Sequence, residues 1–203
     1  ATSKTYTVAL YLAPETSLCK RSEQLLVAET LASVLKRHGY HLLVEDCACQ
    51  NQIDYADAIL CYDTTTDFFC EIGDKNLKPL IAIDVLIDAP LQIFFQVCTD
   101  YARIKEQADA HFGNTPYTYL CLTPNNLDLR ALAEKTFPRI CFADDTSVSI
   151  DGACVYSQDC LRSVAPSGSL YLPYDMQSKM EQVFSCMELA LNRIPDCTHI
   201  VYV

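Results

Sequence analysis

The chain has 203 residues, half of them apolar and a fifth charged, with 26 acidic against 15 basic side chains and a formal net charge of -11. That length accommodates one large α/β domain or two small lobes with a sizeable core. The acidic excess repels phosphate backbones, which argues against direct nucleic-acid binding by this segment, and no apolar stretch nears the ~20 residues of a membrane span.

In chain order, "TYTVALYLAP" reads as a buried strand stopped by Pro14. "SEQLLVAETLASVLKRHG" follows with apolar residues at 25, 28, 31, 32 and 35, which is helical spacing. Ser22 is placed to cap this helix, Glu23 to sit in its first turn, and Gly39 to supply its left-handed stop. "YHLLVED" is a second strand, and "CACQNQIDY" a turn or short helix. "ADAILCYD" is a third strand, "DFFCEIGDKN" a short helix, "KPLIAID" a fourth strand, and "LQIFFQVCTD" an apolar run ending at Asp100.

The second half repeats this grammar. "YARIKEQADAHFG" is predicted helical, "YTYLCLT" a strand, "LDLRALAEK" a helix, "PRICFADD" a strand and "DGACVYSQDCLRSV" a helix. "GSLYLPYD" is a strand. Met176, Met180, Val183, Phe184, Met187, Ala190, Leu191 and Ile194 mark one face of a long helix, read first as core and second as a dimer surface. "HIVYV" closes the chain as a strand. Strand and helix alternating at short intervals predict right-handed βαβ units and mostly parallel sheets flanked by helices. The expected organisation is two Rossmann-like halves, an N-terminal lobe 1–98 and a C-terminal lobe 99–203.

Strand after strand ends in a carboxylate. In a parallel sheet all carboxyl ends share one edge, and ligands bind in the crevice outside it. Asp46, Asp63, Asp84, Asp100, Asp144, Asp145 and Asp175 are therefore expected near that rim. Their paired oxygens suit hydroxyls, amines or a hard cation, whereas aspartate at a strand end also serves as a turn or helix cap. Tyr11, Tyr62, Tyr101 and Tyr174 stand beside presumed strand ends and offer aromatic faces.

Absences narrow the chemistry further. Among only five glycines there is neither a G-x-G-x-x-G nor a G-x-x-x-x-G-K-[ST] pattern, so no nucleotide cofactor is expected. Neither a G-x-S-x-G elbow nor an H-E-x-x-H motif occurs. The twelve cysteines contain no C-x-x-C; Cys61, Cys121 and Cys141 lie inside apolar runs, and Cys47-Ala48-Cys49 has no second pair. These features favour reduced, buried thiols, no metal and a cytoplasmic setting. The N-terminal "ATSKTYTVAL" shows no signal-peptide pattern.

With the elements placed, "TVALYLAP", "LASVLKRHGYHLLVED", "YADAILCYD", "KPLIAID", "VCTDYARIKEQADAHF", "CFADDTSV" and "LYLPYDMQSKMEQVFSCMELAL" resemble, in order, segments of the LacI/GalR effector-binding region. That region has a type I periplasmic-binding-protein fold. The second lobe is shorter here, and the family's R-x-x-G-[FY] segment and helix-turn-helix headpiece have no counterpart. The resemblance implies a sensor of a small polar molecule, often a sugar, held between lobes in a transcription-regulator-like and possible homodimeric protein. It places Asp100 and Asp145 at ligand-contact positions; together with the strand-end reading, the ligand-binding candidates are Asp63, Asp84, Asp100, Tyr101, Asp144, Asp145 and Asp175.

A second resemblance covers the first half only. "LYLAP" and "YADAILCYDTTTDFFCEIGDKNLKPLIAI" resemble nucleoside 2-deoxyribosyltransferase-like enzymes. This implies Glu71 as nucleophile on the sugar anomeric carbon, positioned by Asp63 or Asp67. The residues between, Phe68, Phe69 and Cys70, replace that family's G-T. A third reading keeps the fold as an interaction scaffold without a ligand.

Overall fold

In a computed structural model, residues 5–47, 55–87, 95–144, 149–193 and 200–203 are described. The opening apolar run forms strand β1 (Thr7–Leu12) and leads into helix α1 (Leu18–Arg37). Then follow β2 (His41–Asp46), β3 (Ala58–Tyr62), α2 (Thr66–Lys75), β4 (Leu80–Ile83) and β5 (Phe95–Cys98). The chain continues through α3 (Tyr101–Phe112), β6 (Tyr117–Cys121), α4 (Leu127–Thr136), β7 (Ile140–Phe142) and β8 (Ala153–Tyr156). After a 3-10 turn at Asp159–Ser163 come β9 (Leu170–Tyr171), α5 (Met176–Leu191) and β10 (Ile200–Tyr202).

These strands form two sheets, ordered β10-β5-β4-β3-β1-β2 and β7-β6-β8-β9, and among the described residues every strand pairing is parallel. The α/β, all-parallel architecture expected from the alternating pattern is therefore present. In each sheet the chain runs to one side of its first strand and then to the other, which opens a crevice at the carboxyl ends. Alternation along β1 sends Val8 and Leu10 to the layer of α1 and α5, and Ala9 and Tyr11 to the layer of α2. Burial on both faces is what makes these strands read as unbroken apolar runs. The second sheet is thinner. One face packs on α3 and α4, while the other, with Leu120, Cys154 and Tyr156, meets the 3-10 turn and Cys19 of α1.

Four sequence expectations need correction. The chain returns to the first sheet: β10 pairs with β5 and α5 packs on α1, so a single cut into 1–98 and 99–203 does not describe the layers. The run at 151–164 is a strand followed by a 3-10 turn rather than a helix, because Cys154, Val155 and Tyr156 alternate between two buried faces. Helix α1 starts earlier than expected, so Ser17 rather than Ser22 is its cap, and Glu23 lies beyond the first turn with its side chain buried. Finally, the methionine face of α5 is core: Met180 and Met187 are fully buried, which removes that face as a dimer surface. Ile194, His199, Asp145 and the central part of the 47–55 stretch lie outside the described residues.

The α1 stop agrees with its sequence signature. Gly39 takes φ +80°, and the amides of Gly39 and Tyr40 bond back to Lys36 and Leu35 carbonyls. The start of the helix is also an inter-lobe joint. Ser17 Oγ accepts from the Lys20 amide at 3.1 Å and donates to the Asp144 carbonyl at 3.1 Å. Ser17→Ala removes both bonds, with an expected loss of about 1–2 kcal/mol in urea denaturation.

Candidate functional site

Two of the rim aspartates answer why strands end in carboxylates here. Asp63 and Asp84, immediately after β3 and β4, take left-handed φ values of 47° and 51°. Aspartate tolerates that conformation better than most side chains. Their amides still bond to the next strand, Asp63 to the Ile83 carbonyl and Asp84 to the Val97 carbonyl. Both residues line a crevice between the two sheets, shared with Lys20, Glu23 and Gln24 of α1, Tyr62, Thr99, Tyr101, and Leu122, Thr123, Pro124 and Gln158 from the second sheet's carboxyl edge.

Below the crevice lies a buried ion pair. Lys179 of α5, only 1% exposed, places Nζ 2.6 Å from Asp84 Oδ2 and 2.8 Å from Thr99 Oγ1. Asp84 Oδ1 accepts from the Thr99 amide and hydroxyl at 2.8 and 3.0 Å. The same ammonium stands 5.4 Å from the Tyr174 ring centroid. Glu23 accepts the Tyr174 hydroxyl and, at 3.8 Å, the Cys160 thiol; burial pushes its carboxyl above the usual range.

A second cluster joins the sheets. Asp63 Oδ1 accepts the Asn125 amide at 2.8 Å, and burial pushes its carboxyl up to about 7 against the lowering effects of that bond and Lys20. Lys20 Nζ reaches Glu15 Oε1 at 3.3 Å and Asn125 Oδ1 at 3.0 Å. Asn126, fully buried, caps α4 and also accepts the Leu86 amide at 3.2 Å and donates to Thr66 Oγ1 at 3.1 Å.

The sequence candidates divide clearly. Asp63, Asp84 and Tyr101 meet in the crevice. Asp100 and Asp175 instead cap α3 and α5, accepting the amides of Arg103 and Ser178 at 2.9 and 3.0 Å. Asp144 braces the β6 exit by accepting the Thr123 amide at 3.0 Å, and Asp46 is exposed at the end of edge strand β2. Of the tyrosines, Tyr62 joins Tyr101 at the crevice, whereas Tyr11 packs edge-on against Phe68 in the core. Glu71 is an exposed residue of α2 paired with Lys75, and Asp67 is exposed in that helix's first turn. Neither lines the Asp63 crevice, so the glycosyl-transfer arrangement of Glu71 with Asp63 or Asp67 is not assembled.

Lys20, Glu23, Thr99, Asn125 and Lys179 are not site candidates in the sequence, where Glu23 reads only as a first-turn residue. A helical lysine or glutamate reads as solvated, and Asn-Asn before a helix reads as a turn and cap. The one available signal was Lys179 inside the apolar stripe between Met176 and Val183.

Of the described cysteines, Cys47, Cys61, Cys70, Cys98, Cys121, Cys141, Cys154 and Cys160 are free thiols. Among the described residues no group of three or more His, Cys, Asp or Glu is arranged to hold a metal, and no helix is long and apolar enough to cross a membrane.

No family profile matches the sequence, and neither does any curated protein. The fold does have solved counterparts. A LacI family transcriptional regulator from Bifidobacterium animalis subsp. lactis superposes with a TM-score of 0.68 at 13% identity, covering 99% of this chain and 95% of that one. A periplasmic binding protein/LacI transcriptional regulator from Alkaliphilus metalliredigens, complexed with D-xylulofuranose, gives 0.61 at 12% identity, with 98% and 95% covered. A LacI family regulator from an Arthrobacter species, in complex with lactose, gives 0.61 at 13% identity, with 97% and 95% covered. The fold is thus type I periplasmic-binding-protein-like.

Proposed function

We propose that this chain is a small-molecule sensor domain that holds a polar ligand, sugar-like in its hydroxyl content, between its two lobes. The first lobe runs to about residue 98 and resumes at α5; the second lies between. The observation that carries this reading is the convergence of Lys20, Glu23, Asp63, Asp84, Tyr101 and Gln158 at the facing carboxyl edges of two parallel sheets. Two of the fold neighbours hold a sugar, D-xylulofuranose in one and lactose in the other, which supports the ligand class. A ligand bound there would favour the closed arrangement of the lobes and so transmit its presence to an attached effector, in keeping with a cytoplasmic regulator acting as a homodimer.

One observation favours the scaffold reading instead: the crevice encloses a cavity of only about 40 Å³. That space suits one or two waters, so a sugar would require the lobes to part. A thermal-shift screen against sugars, polyols and nucleosides decides between them. Sensor function predicts a rise of several degrees for one class, through mass action on the folded state. A flat response to all three would leave the scaffold reading standing.

A further inference from the structure

Beside the crevice, one residue of the second lobe, Asn125, bonds to two of the side chains that line it, Lys20 and Asp63, and to Glu15 next to them. The Asn125 side-chain oxygen accepts from Lys20 Nζ at 3.0 Å, and its Nδ2 donates to Glu15 Oε1 at 2.7 Å. Its backbone amide donates to Asp63 Oδ1 at 2.8 Å. Three ionisable side chains of the first lobe thus read a carbonyl oxygen and two N–H groups on one residue of the other lobe. The Glu15 and Lys20 side chains are 13% and 8% exposed, so these bonds are well shielded from water. The Thr123–Asn126 turn does not depend on these bonds alone. The turn is already anchored in its own lobe by Thr123 on Asp144 and by Asn126 capping α4.

We propose that Asn125 is a tethered stand-in for the ligand, and that Glu15, Lys20 and Asp63 form a subsite for a neutral carboxamide. The inference rests on the crevice being a ligand site, and it narrows the ligand to a molecule carrying an amide beside its other polar groups. Ammonium and carboxylates at these positions match the two ends of an amide dipole: Lys20 meets the oxygen, and the acids meet the N–H groups. A phosphate or carboxylate in the same place would face Glu15 and be repelled. The free ligand would displace Asn125, so the tether sets the threshold concentration at which the sensor responds.

The test uses acetamide as the probe and the full chain. Asn125→Ala deletes the side-chain amide and leaves a space of its size beside Glu15 and Lys20. Acetamide at about 100 mM should raise the melting temperature of this variant by about 2–4 °C more than that of the wild type. N,N-dimethylacetamide, which has no N–H to offer Glu15, should give no such excess. The double variant Asn125→Ala/Lys20→Met should lose the response. Asn125→Ser, which shortens the side chain but keeps it polar, provides the same comparison should the alanine variant fold poorly. Equal shifts for wild type and both single variants, or an equal effect of the dimethylated amide, would overturn the proposal. A positive acetamide result alongside a flat sugar screen would retain the subsite and reject the sugar-like ligand.

Discussion

Lys179→Ala should be the most damaging single substitution around the crevice, with an expected loss of about 3–5 kcal/mol in urea denaturation. The ammonium is 1% exposed and touches Asp84 at 2.6 Å. Without it, Asp84 keeps two bonds from Thr99, but its charge has no counterion in a region that water barely reaches. The cost is that of an uncompensated buried charge more than of a lost attraction. The double variant Lys179→Met/Asp84→Asn distinguishes the two. With both charges removed and the volumes nearly kept, it should recover most of the loss, giving a coupling of about 2–4 kcal/mol. If the double variant is as unstable as the sum of the single ones, the pair is not coupled and the network has been misread.

That network also marks the boundary of what the sequence makes legible. The parallel sheets, the order of nearly all elements and the rim of aspartates follow from short-range patterns: apolar runs, helical spacing, and a glycine stop at position 39. Asp63 and Asp84 could be placed because a strand end fixes where the next side chain goes, whatever the rest of the fold does. Asp100 and Asp175 have the same local signature, yet each precedes a helix and spends its carboxylate on that helix's amides. The partners of the site are a different matter. Lys20, Glu23 and Lys179 sit on helices whose direction of approach depends on both sheets, and the return of α5 to the first sheet has no local signature. The run from Ala153 to Tyr156 was misread for a related reason. Four apolar residues, three of them buried on alternating faces, carry no periodicity that separates strand from helix.

Asp63 should make the closed protein less stable as pH rises, which is the reverse of an ordinary ion-paired aspartate. Burial lifts its carboxyl from 3.8 to about 7, with Asp84 and Glu15 adding to the rise and Lys20 and the Asn125 amide opposing it. A group whose folded value lies above its unfolded one binds more protons when folded. Its contribution is therefore complete below pH 4 and is lost as pH rises toward and through 7. The expected loss between pH 5 and 8 is roughly 2–4 kcal/mol, less whatever the lobes recover by parting to hydrate the carboxylate. Asp63→Asn supplies the comparison, because its side-chain oxygen still accepts the Asn125 amide while carrying no charge. At pH 5 the variant should match the wild type in urea denaturation, and at pH 8 it should exceed it. Amide exchange at Asn125 should accelerate with pH beyond the intrinsic chemical rate in the wild type and not in the variant, since the Asp63 bond is what ties that amide to the opposite lobe. A wild-type-minus-variant difference that stays flat from pH 5 to 8 would mean that Asp63 is already ionised in the folded protein, with Lys20 rather than a proton as its partner.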